Sequence, residues 1–182
     1  MSAIEELVGA YRRHVKRSWD ASLAGGQKVW FVVYDPAQER RLRFRISEFK
    51  AATDAAGRNW VQVDLTDAFA NWMAQQRHRE AYFADPEYAV YALAKFREEG
   101  VAAPLRAALT APEVDAGTVV AVTGVGSLFG LVRVSEVIGD VAPEIRGRLA
   151  VFFPGHYDEK SYYRLFDARD GWDYHAAPIT AP

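Results

Sequence analysis

Three runs of apolar, mostly β-branched and aromatic residues constrain the fold of this chain more than any other feature. They are Lys28 to Tyr34 (KVWFVVY), Thr118 to Thr123 (TVVAVT) and Leu149 to Phe153 (LAVFF). A strand that is apolar at consecutive positions must be covered on both faces, as strands of parallel sheets are. Helical patterns separate the runs by enough residues for crossover connections. The sequence therefore predicts an α/β fold with a mainly parallel sheet of four to five strands flanked by helices.

The remaining elements follow from apolar periodicity and from capping residues. A further strand is predicted over Trp60 to Leu65, and the last apolar run is expected to end at Pro154-Gly155. The segment RRLRFRI, before Ser47, fits either a strand or the start of a helix. Helices are predicted over 2–19 with a capping box at Ser2 and Glu5, over 47–56, after a Thr66 cap, over 85–100 with Tyr88, Tyr91 and Phe96 inward, between Pro104 and Pro112, and over 132–141.

Length and composition favour one domain over residues 1–182. Half of the 182 residues are apolar, and no linker, repeat or low-complexity segment divides the chain. A chain of this length buries roughly 70% of its unfolded surface and needs no disulfide to be stable. It contains no cysteine, which excludes disulfides, cysteine-ligated zinc and a thiol nucleophile. We expect a protein of the reducing cytoplasm.

The charge balance argues against direct binding to nucleic acid or to a membrane. The 22 Lys and Arg residues nearly cancel the 24 Asp and Glu residues, which leaves a formal charge of -2. Such a chain has no overall field that attracts DNA or an anionic surface. The first helix carries a local basic face, which we interpret as a solvated surface: Arg12, Arg13, Lys16 and Arg17. The longest uncharged stretch, 116–132, is broken by glycines and is too short to span a bilayer.

No sequence pattern for nucleotide binding or nucleophilic catalysis is complete. A phosphate-binding loop of the GxxxxGK[ST] type is absent, so the predicted fold lacks a P-loop. The third predicted strand ends in Thr123 instead of a magnesium-binding acid. The glycines of GVGSLFG do not have dinucleotide-loop spacing, and Ser127 has no identifiable base. The sequence therefore predicts no cofactor.

A metal-dependent phosphatase or nuclease-like enzyme is the alternative. In an open parallel sheet, ligands bind beyond the carboxyl ends of the strands. Asp35, Asp64, His156 and Asp158 are expected at that edge. Oxygen and imidazole ligands of this kind suit a catalytic cation, although aspartates after strands also cap helices and turns. We therefore assign no metal site.

Large aromatic residues are concentrated in the last third of the chain. Aromatic anchors commonly form the hot spots of protein interfaces, but a segment that folds back on its own core has the same composition. Both interpretations stay open. If the segment is an interface, its candidate partner-binding residues are Tyr157, Tyr162, Tyr163, Phe166 and Trp172.

The same region carries motifs that resemble the BrxB family of bacteriophage exclusion (BREX) proteins. The resemblance rests on a TGVG turn, an arginine-containing helix, an FPG-x-Y strand end, an LF pair and a terminal aromatic strand. The matching residues are Thr123, Gly124, Gly126, Arg133, Phe153, Pro154, Gly155, Tyr157, Leu165, Phe166 and Tyr174.

The resemblance implies a non-catalytic adaptor in a multi-protein system that methylates host DNA and blocks phage. It implies a PglZ-like partner, which is the large alkaline-phosphatase-like component, within a larger BREX complex that acts on DNA. On this basis we expect the chain not to be an enzyme.

Overall fold

A sheet of five parallel strands lies at the centre of the structure, a computed structural model that describes residues 2–158, 162–166, 168–169 and 176–182. The strand order in the parallel part is β2-β3-β4-β1-β7, and β5 and β6 extend it as antiparallel strands from β4. The strands are β1 (Val29–Tyr34), β2 (Asn59–Asp64), β3 (Thr118–Thr123), β4 (Arg148–Asp158), β5 (Tyr162–Leu165), β6 (Ala168–Arg169) and β7 (Ala177–Ile179). The predicted fold class is confirmed.

Apolar side chains cover both faces of the central strands. In β1, Val29, Phe31 and Val33 point into one core and Trp30, Val32 and Tyr34 into the other. Consecutive side chains of a strand point to opposite faces, so an uninterrupted apolar run supplies both cores at once. β1 pairs with β4 from Val29 opposite Leu149 to Tyr34 opposite Pro154. This register brings the end of β1 level with the FPG motif.

Helices cover the two faces in two sets. The first pair, α1 (Ala3–Val15) and α2 (Glu39–Ala55), packs on the face of Trp30, and the other helices pack on the face of Phe31. The others are α3 (Ala68–Ala74), α4 (Arg79–Ala84), α5 (Pro86–Phe96), α6 (Ala103–Thr110) and α7 (Val134–Val141). The predicted Ser2 capping box is present, with reciprocal bonds between Ser2 and Glu5. The ambiguous segment RRLRFRI is helical and belongs to α2.

A π-helical turn, Arg97–Ala102, joins α5 to α6. Gly100 lies in this turn against the buried ring of Phe96, where a Cβ would collide with ring carbons. Trp72 of α3 donates its indole N–H to Glu99, at 3.0 Å. The turn therefore stays packed, and it presents Arg97 toward α7.

β4 is longer than the sequence predicts. It does not end at Pro154-Gly155 but continues to Asp158, because its second half leaves the parallel sheet and pairs with β5. Gly155 makes the pairing possible, since a Cβ at this position would collide with the carbonyl of Arg164. The Pro-Gly pair, which usually marks a turn, here lies inside a strand.

Two helix predictions are also wrong in detail. Tyr88 and Tyr91 do not line the inward side of α5; their side chains are 57% and 86% exposed, and Ala92 and Phe96 face the core instead. Thr66 does not cap α3, since its hydroxyl bonds to Asp64 and the helix begins after Asp67. Among the described residues, no helix is long and apolar enough to cross a membrane.

Candidate functional site

Two turns meet at the carboxyl edge of the sheet, one after β2 and one after β3. Gly124, which follows β3, has a φ of +75° in the left-handed region. A Cβ at Gly124 would lie 2.6 Å from Oδ1 of Asp64 and 2.5 Å from the backbone N of Thr66. Only glycine combines this backbone conformation with so close an approach. The first glycine of the TGVG motif therefore joins the two turns.

Asp64 is held by hydrogen bonds in the turn after β2. The backbone N–H of Thr66 donates to Asp64 Oδ1 at 3.0 Å, and the hydroxyls of Thr66 and Thr123 also interact with this carboxylate. Burial raises the pKa of Asp64, but these hydrogen bonds and the nearby Arg43 charge outweigh it and lower the pKa overall. Asp64 is thus an ionised acceptor that stabilises the turn.

A short polar network continues from this turn to α2. Arg43 donates to the Thr66 hydroxyl at 2.6 Å and to Glu39 at 2.7 Å, and the Tyr34 hydroxyl donates to Glu39. The cleft beside the network has a volume of about 130 Å³. Because the groups in it already bond to one another, the network serves to fasten α2 to the carboxyl edge of the sheet.

The second glycine of the motif touches the other family motifs. Gly126 lies in the 3₁₀ turn Val125–Leu128, and a Cβ there would lie 3.0 Å from the ring of Phe166 and 3.3 Å from Pro154. The backbone N–H of Phe166 donates to the carbonyl of Pro154 at 3.0 Å. The TGVG turn, the FPG segment and the LF pair therefore form one packed unit.

Phe166 has an unusual backbone conformation. Its φ is +53°, which makes it the one non-glycine residue with positive φ among the described residues. A bulky side chain in this region is strained, and such strain persists only where the surroundings impose it. The hydrogen bond to Pro154 and the edge-to-face contact with Phe129, at 5.1 Å between ring centroids, hold Phe166 in place.

Tyr163 belongs to the core and not to an exposed patch. Its side chain is 1% exposed and stacks on Phe31 with the ring centroids 4.3 Å apart. Its hydroxyl donates to the carbonyl of Ala176 at 3.1 Å, and burial raises the pKa of this phenol. The burial of Tyr163 argues against the expectation that it meets a partner, because its ring packs on Phe31 of β1 and Phe153 of β4.

The other predicted partner-binding residues divide into two groups. Tyr157 and Phe166 are half-buried and lie beside the packed motif unit. The side chain of Tyr162 and all of Trp172 lie outside the described residues, as does Tyr174 of the terminal family motif. Of the family-motif residues that the structure describes, Phe153 is fully buried and Leu165 nearly so.

A groove of about 730 Å³ opens next to this unit, and sequence reasoning did not find it. It lies between α5, the segment after the TGVG turn and the end of β5. Its apolar lining consists of Leu93, Ala94, Phe129, Leu131, Val132 and Leu165. Arg97, Arg133 and Glu136 lie at its polar side. The groove has the size of a ligand or peptide site and lies at the carboxyl edge, where such sites occur in α/β proteins.

Four apolar side chains are exposed on α4 and on α5, the helix that also lines the groove. Phe83 of α4 and Tyr88, Val90 and Tyr91 of α5 each have more than half of their side-chain surface exposed. Exposed large apolar side chains that form a contiguous surface commonly mark a contact with another molecule, and these four are close together in the sequence. The amphipathic pattern read from the sequence assumed that α5 turns its aromatic residues inward, which hid this surface.

The candidate metal ligands whose side chains the structure describes, Asp35, Asp64 and His156, do not form a metal site. Oδ1 of Asp35 accepts the backbone N–H of Ala37 at 2.8 Å, and Asp64 holds the next turn as described above. His156 is exposed on the extension of β4, and the side chain of Asp158 lies outside the described residues. Across the described part of the chain, no group of three or more His, Asp and Glu side chains is arranged to hold a metal ion. Asp35 and Asp64 are turn residues in this structure.

The basic residues of the first helix are solvent-exposed. Arg12 and Arg13 lie on the exposed side of α1, and Lys16 and Arg17 are exposed directly after the helix, which ends at Val15 instead of the predicted Trp19. Ile4, Leu7, Val8, Tyr11 and Val15 form its buried side. The arrangement is that of an ordinary amphipathic surface helix.

Comparison with known proteins gives one match. The family model described as BREX protein BrxB matches residues 66–179, which is more than half of the chain. The matched range contains the TGVG turn, the groove and the β4–β5 extension. No curated protein and no solved structure was found to match the chain.

Proposed function

Because the chain belongs to the BrxB family of BREX proteins, we propose that it serves phage defence as a non-catalytic adaptor that binds a PglZ-like partner. The membership makes the chain a component of a BREX system. The adaptor role and the identity of the partner are our inference.

One observation carries the proposal. The described residues of the family motifs pack against one another and form a surface, and they do not form a set of reactive groups. Gly124 and Gly126 permit close backbone approach, Pro154 accepts a hydrogen bond, and Phe166 is held in a strained conformation. Strained residues held by their surroundings are characteristic of functional sites. The packed unit ends in half-buried aromatic side chains beside an open groove, which is the composition of a protein-binding site.

The titratable groups at the carboxyl edge support the same conclusion. Asp35 and Asp64 accept hydrogen bonds from their own turns, and Glu39 bonds to Tyr34 and Arg43. A general base or a metal ligand needs a free lone pair directed at the substrate. Each of these carboxylates already accepts hydrogen bonds from the protein itself, which suits a structural role in a binding protein.

The test is co-purification with the PglZ-like protein encoded by the same BREX system. We expect the full-length chain to retain that protein through gel filtration, and the isolated chain to hydrolyse neither nucleotides nor nucleic acid. Divalent-metal-dependent cleavage of nucleic acid that Asp35→Asn or Asp64→Asn abolishes would overturn the adaptor role. Failure to retain the PglZ-like protein would overturn the assignment of the partner.

A further inference from the structure

We propose that the groove between α5 and the segment after the TGVG turn binds an acidic, apolar segment of the partner protein. The inference rests on the proposed function, in which the chain binds a partner, and it adds the place and the chemistry of the contact. A carboxylate of the partner pairs with Arg133, and apolar side chains of the partner cover the groove floor.

Within the part of the chain that the structure describes, the charges at the groove leave one cation, Arg133, without an ionic partner. Arg97 is neutralised on the protein itself, by Glu136 at 2.8 Å and by Asp140 at 3.1 Å. The exposed side chain of Arg133 makes no hydrogen bond or ion pair with any residue that the structure describes. A guanidinium beside apolar surface is suited to a carboxylate, which it can bind through two parallel hydrogen bonds.

Side chains in the apolar part of the groove are held in a fixed conformation before a ligand binds. Phe129 is 48% exposed, and its ring stands edge-on to Phe166, whose backbone is held by Pro154. Leu165, at the base of the groove, is buried. A fixed aromatic ring loses little conformational freedom when a partner covers it, which favours tight binding.

The apolar surface of the groove runs along α5, which suits an elongated segment of the partner. Val90 and Ala94 of α5 and Arg97, the first residue of the π-helical turn, follow one another at the spacing of one helix face. Val90 is 64% exposed, and Ala94 and Arg97 line the groove. The stripe therefore continues the groove along the helix. Arg133 is the one cation of the groove that lacks a partner among the described residues, and the phosphates of nucleic acid require several cations.

The experiment uses the full-length chain within its BREX assembly. A photo-crosslinking benzoylphenylalanine replaces Ala94, which is exposed and lines the groove. Phe129→Ala and Arg133→Glu are compared with Phe44→Ala and Arg12→Glu, which change exposed residues on the opposite face of the sheet. Melting temperatures establish that each variant is folded.

We expect Ala94 to crosslink to a segment of a BREX protein that contains both acidic and apolar residues. Truncation of the central aromatic, Phe129→Ala, should weaken binding roughly 30-fold, as hot-spot truncations do. Arg133→Glu should do the same, Arg133→Lys should retain part of the affinity, and the two controls should have no effect. A segment from a BREX protein other than the PglZ-like one would uphold this inference and overturn the assignment of the partner.

Three results would overturn the inference. They are a crosslink to a basic segment, a crosslink to a second copy of this chain, and unchanged binding of the folded Phe129 and Arg133 variants. The last result, with the PglZ-like protein still bound, would leave the proposed function intact. A wild-type chain that retains no BREX protein would overturn both.

Discussion

The ring of Phe129 meets the ring of Phe166 edge to face, with 5.1 Å between their centroids. Phe129 follows the TGVG turn and Phe166 belongs to the LF pair, so this contact joins two motifs that are 37 positions apart in the chain. The two family motifs therefore pack against each other through these rings, beside the groove that Phe129 lines.

Gly124→Ala should destabilise the protein more than an ordinary glycine substitution does. A Cβ at this position would press on Asp64 and Thr66 in addition to straining the positive φ, so we expect a loss on the order of 3 kcal/mol of the free energy of unfolding. Gly57→Ala is the matched control, because Gly57 also has positive φ but faces open space; it should cost about 1 kcal/mol. Equal losses in urea denaturation would show that the Asp64 contact is unimportant.

Tyr163 tests whether the aromatic residues of β5 are core. Tyr163→Phe removes the hydrogen bond to Ala176 and should cost about 1 kcal/mol of stability, whereas Tyr163→Ala should cost about 3 to 5 kcal/mol. Denaturant unfolding measures both values. Binding of the partner by folded Tyr163→Phe should equal that of the wild type; a loss of binding at unchanged stability would place the tyrosine in the interface after all.

His14 should make stability fall in mildly acidic solution. Burial, with the charges of Arg17 and Arg148, lowers the pKa of His14 from 6.5 to about 4. Between these two values the unfolded chain binds the proton and the folded chain does not, so the free energy of unfolding decreases as the pH falls from 6.5 toward 4. Melting temperatures between pH 7 and 5 measure the slope. His14→Gln should flatten it, and His78→Gln, at an exposed position, should leave it unchanged.

Duplex DNA should bind weakly at physiological salt. The formal charge is -2, and the basic residues of α1 lie on an ordinary solvated helix face. A protein that neutralises several phosphates shows a slope of log affinity against log salt of about -0.9 per phosphate. Fluorescence anisotropy over a salt series measures it. Tight binding with such a slope, flattened by alanine at Arg12 and Arg13, would contradict the account.

The predictions from sequence succeeded where one local pattern determines the structure. The observed bounds of β3 equal the predicted ones residue for residue. The central residues of TVVAVT are all apolar, so neither face of this strand can be polar. The start of α1 and its Ser2 cap follow from spacing alone, although the helix ends at Val15 and not at the predicted Trp19. In both cases the structure is determined by contacts within the element itself or by the periodicity of its residues.

The errors arise where contacts between distant segments of the chain determine the structure. Gly155 is a strand residue because β5 pairs with β4, and no residue near Gly155 in the sequence indicates this pairing. Tyr163 is buried because its ring reaches Phe31, more than 130 residues earlier. The groove joins α5 to residues after β3 and to β5, so no single segment carries its signal. Arg133 and Leu165 were identified by the family resemblance, but their shared position at the groove needed the fold.

The dissociation constant of the purified complex with the PglZ-like protein tests the central claim most directly. It is measured for the wild type, for Phe129→Ala and for Phe44→Ala, the last at a ring that is 88% exposed on α2. The account predicts that Phe129→Ala weakens binding roughly 30-fold, and that Phe44→Ala binds like the wild type. Equal dissociation constants for all three folded proteins would contradict it and would place the contact away from the motif surface.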